Sequence, residues 1–264
     1  MIHTYSYYAS DVDKLNEFVI AFFNRIEFET GDFSEGFFVK EFYDNLVSRH
    51  TGILFKTFKD IYAITKAWKQ KSRTRLCLAI RESNEIEEIC KGIKKPTKES
   101  QIPLAVKDIV VKLFKQLYDD VLFGKFFTPH YGNRKTHYHD FLLYKNNAYD
   151  WCPSCGIRPM HRFTEKITDQ YDHYLPKNIY PFSSVNFKNL IPICSDCNSF
   201  ENKSDEDILE PTGKAFYPFQ IKHKLIEIGI SIKKNNIDLD KIEWAINYSC
   251  EKGKEDELTA WKKI

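Results

Sequence analysis

Four of the seven cysteines fall into two pairs of the form C-x-x-C. The first pair is Cys152 and Cys155, the second is Cys194 and Cys197, and the 38 residues from 156 to 193 lie between them. Two such turns can bring four thiolates together around one tetrahedral zinc ion, whose binding free energy can fold a segment with little core of its own. We therefore predict a structural Zn2+ site at these four cysteines.

Between and directly after the two pairs lie residues that could hydrolyse a phosphodiester. Asp172 and His173 are adjacent, Asn189 precedes a leucine, and Asn198 directly follows the last cysteine. A histidine of ordinary pKa can take a proton from water at neutral pH, and a hard cation can stabilise the charge that grows on the phosphate oxygens. If the segment is extended, Asp172 and His173 point to opposite sides and can serve different functions.

This order of residues resembles that of the HNH endonucleases, the ββα-metal nucleases, in the variety whose core is held by two C-x-x-C pairs. The matching pattern is C-x-x-C, then D-H-x-x-P from Asp172, then N-L from Asn189, then C-x-x-C-N ending at Asn198. The resemblance covers about the middle third of the chain. The stretch from Lys214 to Phe219 is also similar to HNH proteins of bacterial defence loci.

The resemblance implies a role for each residue of the pattern. Asp172 would bind a catalytic Mg2+ or Mn2+, His173 would be the general base, and Asn189 would hold the loop and orient His173. Asn198 stands where the family has its last histidine and would complete the metal site, with Asn202 one helical turn later as the alternative ligand. An amide oxygen suits Mg2+ or Mn2+ better than Ni2+ or Zn2+.

Basic side chains concentrate around the predicted site although the net charge of the chain is only +2. Three of them are expected to contact nucleic-acid phosphates, with solvated surface charges as the alternative: Lys177, Lys188 and Lys203. Three histidines that precede the cluster are interpreted as surface or hydrogen-bonded core residues rather than as a second metal site: His130, His137 and His139.

The composition fits a globular protein with a large core. The chain has 264 residues, of which 42% are hydrophobic and 15% aromatic, and this excludes a disordered chain. It contains no run of about 18 apolar residues and does not begin like a signal peptide. Because the seven cysteines are an odd number and three of them stand singly, a disulfide framework is disfavoured, and we predict a cytoplasmic protein.

Hydrophobic periodicity, together with the module that the resemblance implies, predicts an α+β protein in three parts. These are a helical N-terminal region over 1–128, a zinc-stapled ββα-metal module over 129–220 and a strand-rich C-terminal extension over 221–264. Helices are predicted over 10–24, 55–68, 84–93, 104–122, 141–144 and 258–264. Strands are predicted over 225–232 and 242–248.

These observations predict a metal-dependent HNH endonuclease that acts on nucleic acid, most of all DNA, in anti-phage defence or restriction. A separate ATPase or sensor protein is the expected partner. The alternative is a non-catalytic zinc-binding module that recognises nucleic acid or protein, in which Asp172 and His173 are incidental. We favour the nuclease because a simple zinc ribbon has no use for Asp-His, Asn-Leu and Asn at these positions.

Overall fold

The structure is a computed structural model of the chain. It describes residues 2–50, 52–161, 169–199, 206–210, 212–220, 225–233 and 243–262. Within these ranges, no helix combines the length and the apolar character needed to cross a membrane.

Helices make up most of the first 143 residues. They are α1 (Lys14–Phe28), α2 (Lys40–Phe42), α3 (Ile53–Lys66), α4 (Gln70–Glu82), α5 (Ile86–Cys90), α6 (Leu104–Gln116), α7 (Thr128–Tyr131) and α8 (Arg134–Leu143). Two of them continue into wider π-helical turns: α2 into Tyr43–Val47 and α6 into Leu117–Val121. Of the predicted helices, 10–24, 55–68, 84–93 and 104–122 correspond to α1, α3, α5 and α6.

Three helices differ from the prediction for local reasons: two in their bounds, and α4 in its existence. Helix α5 is shorter than predicted because the chain turns at Gly92, whose φ is +76°. Helix α8 begins earlier than predicted because the side chain of Asn133 accepts a hydrogen bond from the Thr136 N–H and caps it. Helix α4 was not predicted: charged residues dominate its sequence, and one of its inward positions is Arg73, which donates to the Glu29 carbonyl.

Two separate antiparallel hairpins provide the strands of the described chain. Strands β1 (Gln170–His173) and β2 (Leu190–Ile193) pair in the middle of the chain. Strands β3 (Ile226–Lys233) and β4 (Glu243–Cys250) pair near its end and precede helix α9 (Glu255–Trp261). The two C-terminal strands and the last helix are therefore confirmed with slightly shifted bounds. The predicted mixture of N-terminal helices and C-terminal strands is confirmed as well.

One hydrophobic core joins the helices to the middle of the chain, since its buried residues run from Tyr5 to Tyr217. The first residues of the chain also form hydrogen bonds with the first C-x-x-C turn and with β2. The Ile2 N–H donates to the Pro153 carbonyl over 2.7 Å, and the Tyr5 hydroxyl donates to the Pro192 carbonyl over 2.9 Å. The helical region and the first hairpin consequently pack as one body.

Candidate functional site

The four cysteines of the two C-x-x-C pairs converge on one point. Their Sγ atoms all lie within 4.8 Å of one another, and those of Cys152 and Cys197 are 4.0 Å apart. Tetrahedral zinc binds sulfur at about 2.3 Å, which sets the sulfur atoms roughly 3.8 Å apart. The cluster therefore fits a zinc ion and could hold one. Among the described residues, it is the one group of three or more His, Cys, Asp or Glu side chains with metal-site spacing.

Backbone N–H groups point at the sulfur atoms. The Cys194 N–H donates to Cys152 Sγ, the Cys197 N–H to Cys194 Sγ, and the Ile157 N–H to Cys155 Sγ, each over 3.5 Å. Such hydrogen bonds favour the thiolate, the form that binds a metal. A hydrogen bond with the Cys197 thiol is the main cause that lowers the pKa of Cys152, whereas burial raises the pKa of Cys194.

The turn after the first pair has its own requirements. Gly156 has a φ of +69°, which favours glycine, and a Cβ atom there would lie only 3.1 Å from the Ile2 side chain. Two residues later, Arg158 forms an ion pair with Asp196, which lies inside the second C-x-x-C turn. This ion pair braces the two turns against each other.

The first hairpin connects the cysteine cluster to the predicted catalytic residues. Asp172 and His173 are the last two residues of β1, where they pair with Ile191 and Leu190. Their side chains point to opposite faces of the strand, and each is more than nine-tenths buried. Cys194 directly follows the end of β2. The short hairpin therefore sets the distance between the cysteine cluster and the pair Asp172 and His173.

The imidazole of His173 is held by a backbone carbonyl. Its Nε2 atom lies 2.9 Å from the carbonyl oxygen of Ser184. A carbonyl oxygen only accepts, so Nε2 carries the hydrogen, and in the neutral ring Nδ1 then carries the lone pair. This is the tautomer in which a histidine can take a proton through Nδ1.

Asn189 closes the loop that carries this carbonyl. Its buried side chain accepts from the Leu175 N–H over 2.7 Å and donates to the Leu175 carbonyl over 3.1 Å. It also lies within hydrogen-bond distance of the Ser183 carbonyl, at 3.3 Å. Because Ser183 immediately precedes Ser184, Asn189 fixes the backbone that orients His173.

The helical region reaches His173 through α6 and the π-helical turn after it. The ring of Tyr118, in that turn, meets the imidazole at 62° with the ring centroids 4.4 Å apart. The hydroxyl of Ser184 donates to the Phe114 carbonyl over 3.3 Å. Burial raises the pKa of Tyr118, so the phenol stays neutral. His173 is thus enclosed by the first hairpin and by a helix more than 50 residues before it.

Asn198 approaches the other face of β1. Its amide nitrogen donates to Gln170 Oε1 over 2.7 Å, and Gln170 shares a strand face with Asp172. A carboxylate and an amide oxygen on one side of the hairpin are the kind of donors that a hard cation takes. Asn198 lies in a turn directly after Cys197, and Asn202 lies outside the described residues.

The predicted phosphate-binding lysines have different surroundings. The ammonium of Lys177 lies 4.3 Å from the Tyr118 ring centroid and 3.2 Å from Asp119 Oδ1. That of Lys188 lies 5.5 Å from the Tyr7 ring centroid, in a pocket that Asp13 also lines. Lys203 lies outside the described residues. Of the two described lysines, Lys177 is therefore the one that lies close to His173, through Tyr118.

Comparison with curated proteins finds a weak similarity. The chain is 34% identical over 74 residues to the Septu protein PtuB of Bacillus thuringiensis. The aligned segment is 27% of this chain and 26% of that relative, so the chain spans about a quarter of the length of the curated relative it matches. No protein-family model and no solved structure matches the chain.

Two contacts of His173 could not be found from the sequence. Ser184 contributes a backbone carbonyl, which any residue type could supply. Tyr118 belongs to an aromatic stripe of a helix, and such a stripe predicts a core position rather than a site. Only the three-dimensional path of the chain brings these two residues to His173.

An apolar groove of about 580 Å³ lies between Trp68 and Leu76 of the helical region and Phe182 of the loop between β1 and β2. None of the predicted site residues lines it. An extended polyanion such as a nucleic-acid strand needs charged and hydrogen-bonding contacts rather than a mainly apolar groove. The surroundings of His173 therefore remain the better candidate for the functional site.

Proposed function

We propose that the chain is an HNH-type endonuclease, a metal-dependent enzyme that hydrolyses phosphodiester bonds of nucleic acid, with DNA as the preferred substrate. The observation that carries this proposal is the hydrogen bond between His173 Nε2 and the Ser184 carbonyl, beside Asp172 in a hairpin that leads into the four-cysteine cluster. A module that only recognises its partner has no need for a histidine whose tautomer is fixed in this way.

In this proposal His173 is the general base. Its Nδ1 atom takes the proton of the water that attacks phosphorus, and the ring becomes an imidazolium. The hydrogen bond from Nε2 to the Ser184 carbonyl then becomes charge-assisted and strengthens as the proton is transferred. Asn189 contributes by keeping that carbonyl in place.

Asp172 and Asn198 would hold a catalytic Mg2+ or Mn2+. When bound, such a cation stabilises the charge on the phosphate and on the leaving oxygen. Lys177 would contact a neighbouring phosphate, with Lys188 and Lys203 as further contacts along the strand. The four-cysteine cluster would hold Zn2+ with a structural role, because a site closed by four thiolates has no open position for a substrate.

Anti-phage defence is the biological use that we propose. The resemblance to HNH proteins of bacterial defence loci implies this role, and the similarity to a Septu protein fits it. Such a nuclease needs control by infection, so we also propose that a separate ATPase or sensor protein acts with it in the cytoplasm.

Plasmid cleavage tests the proposal. Folded, zinc-loaded protein should nick or linearise plasmid DNA with Mg2+ or Mn2+ and should be inactive in EDTA. His173→Ala should lower the rate by roughly 10²- to 10⁴-fold, the usual contribution of a general base. His139→Ala is the matched control, since His139 lies on the partly exposed surface of α8. Equal rates for wild type and His173→Ala would favour the recognition module instead.

A further inference from the structure

The hairpin of β3 and β4 has one face without a single charged side chain. The strand register places Ile228 opposite Tyr248, Ile230 opposite Ile246, and Ile232 opposite Trp244. Residues directly opposite each other in an antiparallel pair share a face. These six side chains, here called the apolar face, therefore form one continuous surface.

The other face of the same two strands is polar. It carries, among others, Glu227, Ser231, Glu243 and Asn247. This alternation of apolar and polar side chains is typical of an antiparallel sheet that has one face buried and the other face in solvent. A two-stranded sheet is marginally stable in water unless its apolar side is covered.

Among the described residues, those that cover the apolar face lie at its base. Ile226, at the start of β3, is fully buried against Phe216 and Leu258, and Trp261 of α9 packs on Tyr248 at a centroid distance of 5.5 Å. Beyond this point the side chains are open to solvent. The exposed fractions are 47% for Ile228, 69% for Ile230, 63% for Ile232, 64% for Trp244 and 43% for Ile246.

We propose that the apolar face is a dimer interface and that its occupant is the same face of a second copy of this chain. A partner surface must be uncharged, flat and of similar length, and the same face of a second copy has these properties. A two-fold axis would stack the two hairpins as the layers of a small sandwich, about 10 Å apart.

The size of the face agrees with this occupant. The five exposed side chains present on the order of 500 Å² per copy, or about 1,000 Å² for two copies, which is the lower limit for a specific interface. A monomer rarely exposes so large a continuous apolar surface. Nucleic acid is disfavoured as the occupant because the face offers no cation to its phosphates.

The dimer has a consequence that rests on the proposed function. A single site of the proposed type cuts one strand, whereas a dimer carries two sites in one particle. The wild type should then produce linear plasmid early, while a monomeric variant should accumulate nicked circles first.

Sedimentation velocity tests the dimer without using cleavage. The wild type should sediment as a dimer at concentrations on the order of 50 µM, where an interface of this size is populated. Ile230→Asp, and independently Trp244→Asp on the other strand, should weaken the dimer at least about 100-fold, because each places a charge inside an apolar contact. Ser231→Asp is the matched control, since Ser231 is next to Ile230 on the polar face, and it should leave the dimer intact.

Three results would overturn the proposal. The first is a wild type that stays monomeric throughout the concentration series, and the second is a dimer that both Ile230→Asp and Trp244→Asp leave unchanged. The third is a monomer that binds neutral phosphatidylcholine vesicles through the same side chains, which would identify a lipid surface as the occupant. Because sedimentation needs no activity, a failure of the nuclease proposal would leave this result interpretable.

Discussion

The ring of Tyr118 meets the imidazole of His173 edge-on, with the two centroids 4.4 Å apart. Tyr118 lies in the π-helical turn after α6, and π-helical turns often occur at functional sites. One turn earlier, in α6, the Phe114 carbonyl accepts a hydrogen bond from the Ser184 hydroxyl. The Tyr118 ring and the hydrogen bond to the Ser184 carbonyl leave the imidazole of His173 little freedom to rotate. Because α6 and the turn after it hold both Tyr118 and Ser184, we regard the helical region as a part of the candidate site.

We predict that the Tyr118 ring, rather than its hydroxyl, positions His173. Tyr118→Leu should lower the cleavage rate about 10- to 100-fold, because a small misplacement of a catalytic group is costly. Tyr118→Phe keeps the ring and should remain close to wild type. An NMR titration of His173 should show a shifted pKa in the leucine variant and an unchanged one in the phenylalanine variant. Equal rates and equal titrations in both variants would limit Tyr118 to packing.

Asn189 allows a test of loop positioning. Asn189→Ala should destabilise the fold by about 1 to 3 kcal/mol, since it leaves the buried Leu175 N–H without its acceptor. It should also reduce cleavage per folded molecule. Asn186→Ala is the matched control: Asn186 is a buried loop asparagine whose side chain donates to the Asn84 carbonyl, while only its backbone N–H reaches the Ser183 carbonyl and is kept in the variant. Denaturant unfolding and cleavage should separate the two variants, and a similar loss of activity in both would argue against a specific role.

The sequence predicted the cysteine cluster and the C-terminal strands better than the surroundings of the candidate site. C-x-x-C spacing is a local property of the chain, so the convergence of Cys152, Cys155, Cys194 and Cys197 could be predicted. The strands β3 and β4 were predictable because their alternation has a period of two.

What the sequence could not predict depends on long-range packing. Lys177 and Lys188 are the same residue type, and both lie between the two C-x-x-C pairs in sequence. Lys177 nevertheless lies on the Tyr118 ring and Lys188 beside the Tyr7 ring. Helix α4 has a buried arginine, Arg73, at an inward position where a hydrophobic pattern would require an apolar residue. Such contacts arise only when distant segments meet.

We predict that zinc binding and stability decrease together when the cluster is broken. Wild-type protein should contain one tightly held zinc per chain, and Cys194→Ser should lose it and melt at a lower temperature. Cys77→Ser, at a buried cysteine of α4 outside the cluster, should keep the zinc. Metal analysis and thermal melts of the three proteins check this. A zinc-free wild type, or a Cys194→Ser protein with unchanged zinc and melting, would contradict it.

The two described lysines should differ in their contribution to nucleic-acid binding. Lys177→Ala should weaken DNA binding and reduce the salt slope by about one phosphate contact. Lys188→Ala should change the slope less, because Lys188 lies beside Tyr7 and not beside Tyr118, the ring that contacts His173. Binding titrations in an inactive His173→Ala background, at several salt concentrations, measure both slopes. Identical slopes for the two variants would remove the distinction that the structure draws between them.

His137 should make the protein sensitive to mild acid. Its Nδ1 atom lies 2.6 Å from the Tyr171 hydroxyl, the rings of Tyr8 and Phe187 pack on it, and Asp140 is the nearest opposing charge. Burial lowers its pKa from 6.5 to about 4. Between these values the unfolded chain binds a proton that the folded chain does not.

The stability contributed by a neutral His137 is therefore complete above about pH 6.5 and is lost as the pH falls towards 4, by up to about 3 kcal/mol. His137→Gln cannot titrate and should show a flatter curve of unfolding free energy against pH. His139→Gln, at the partly exposed histidine two residues later, should follow the wild type. Carboxylates and the cysteine cluster also titrate in acid, but they do so in all three proteins, so the difference between curves isolates His137. Parallel curves from pH 7 to 4.5 would show that burial does not hold this imidazole neutral.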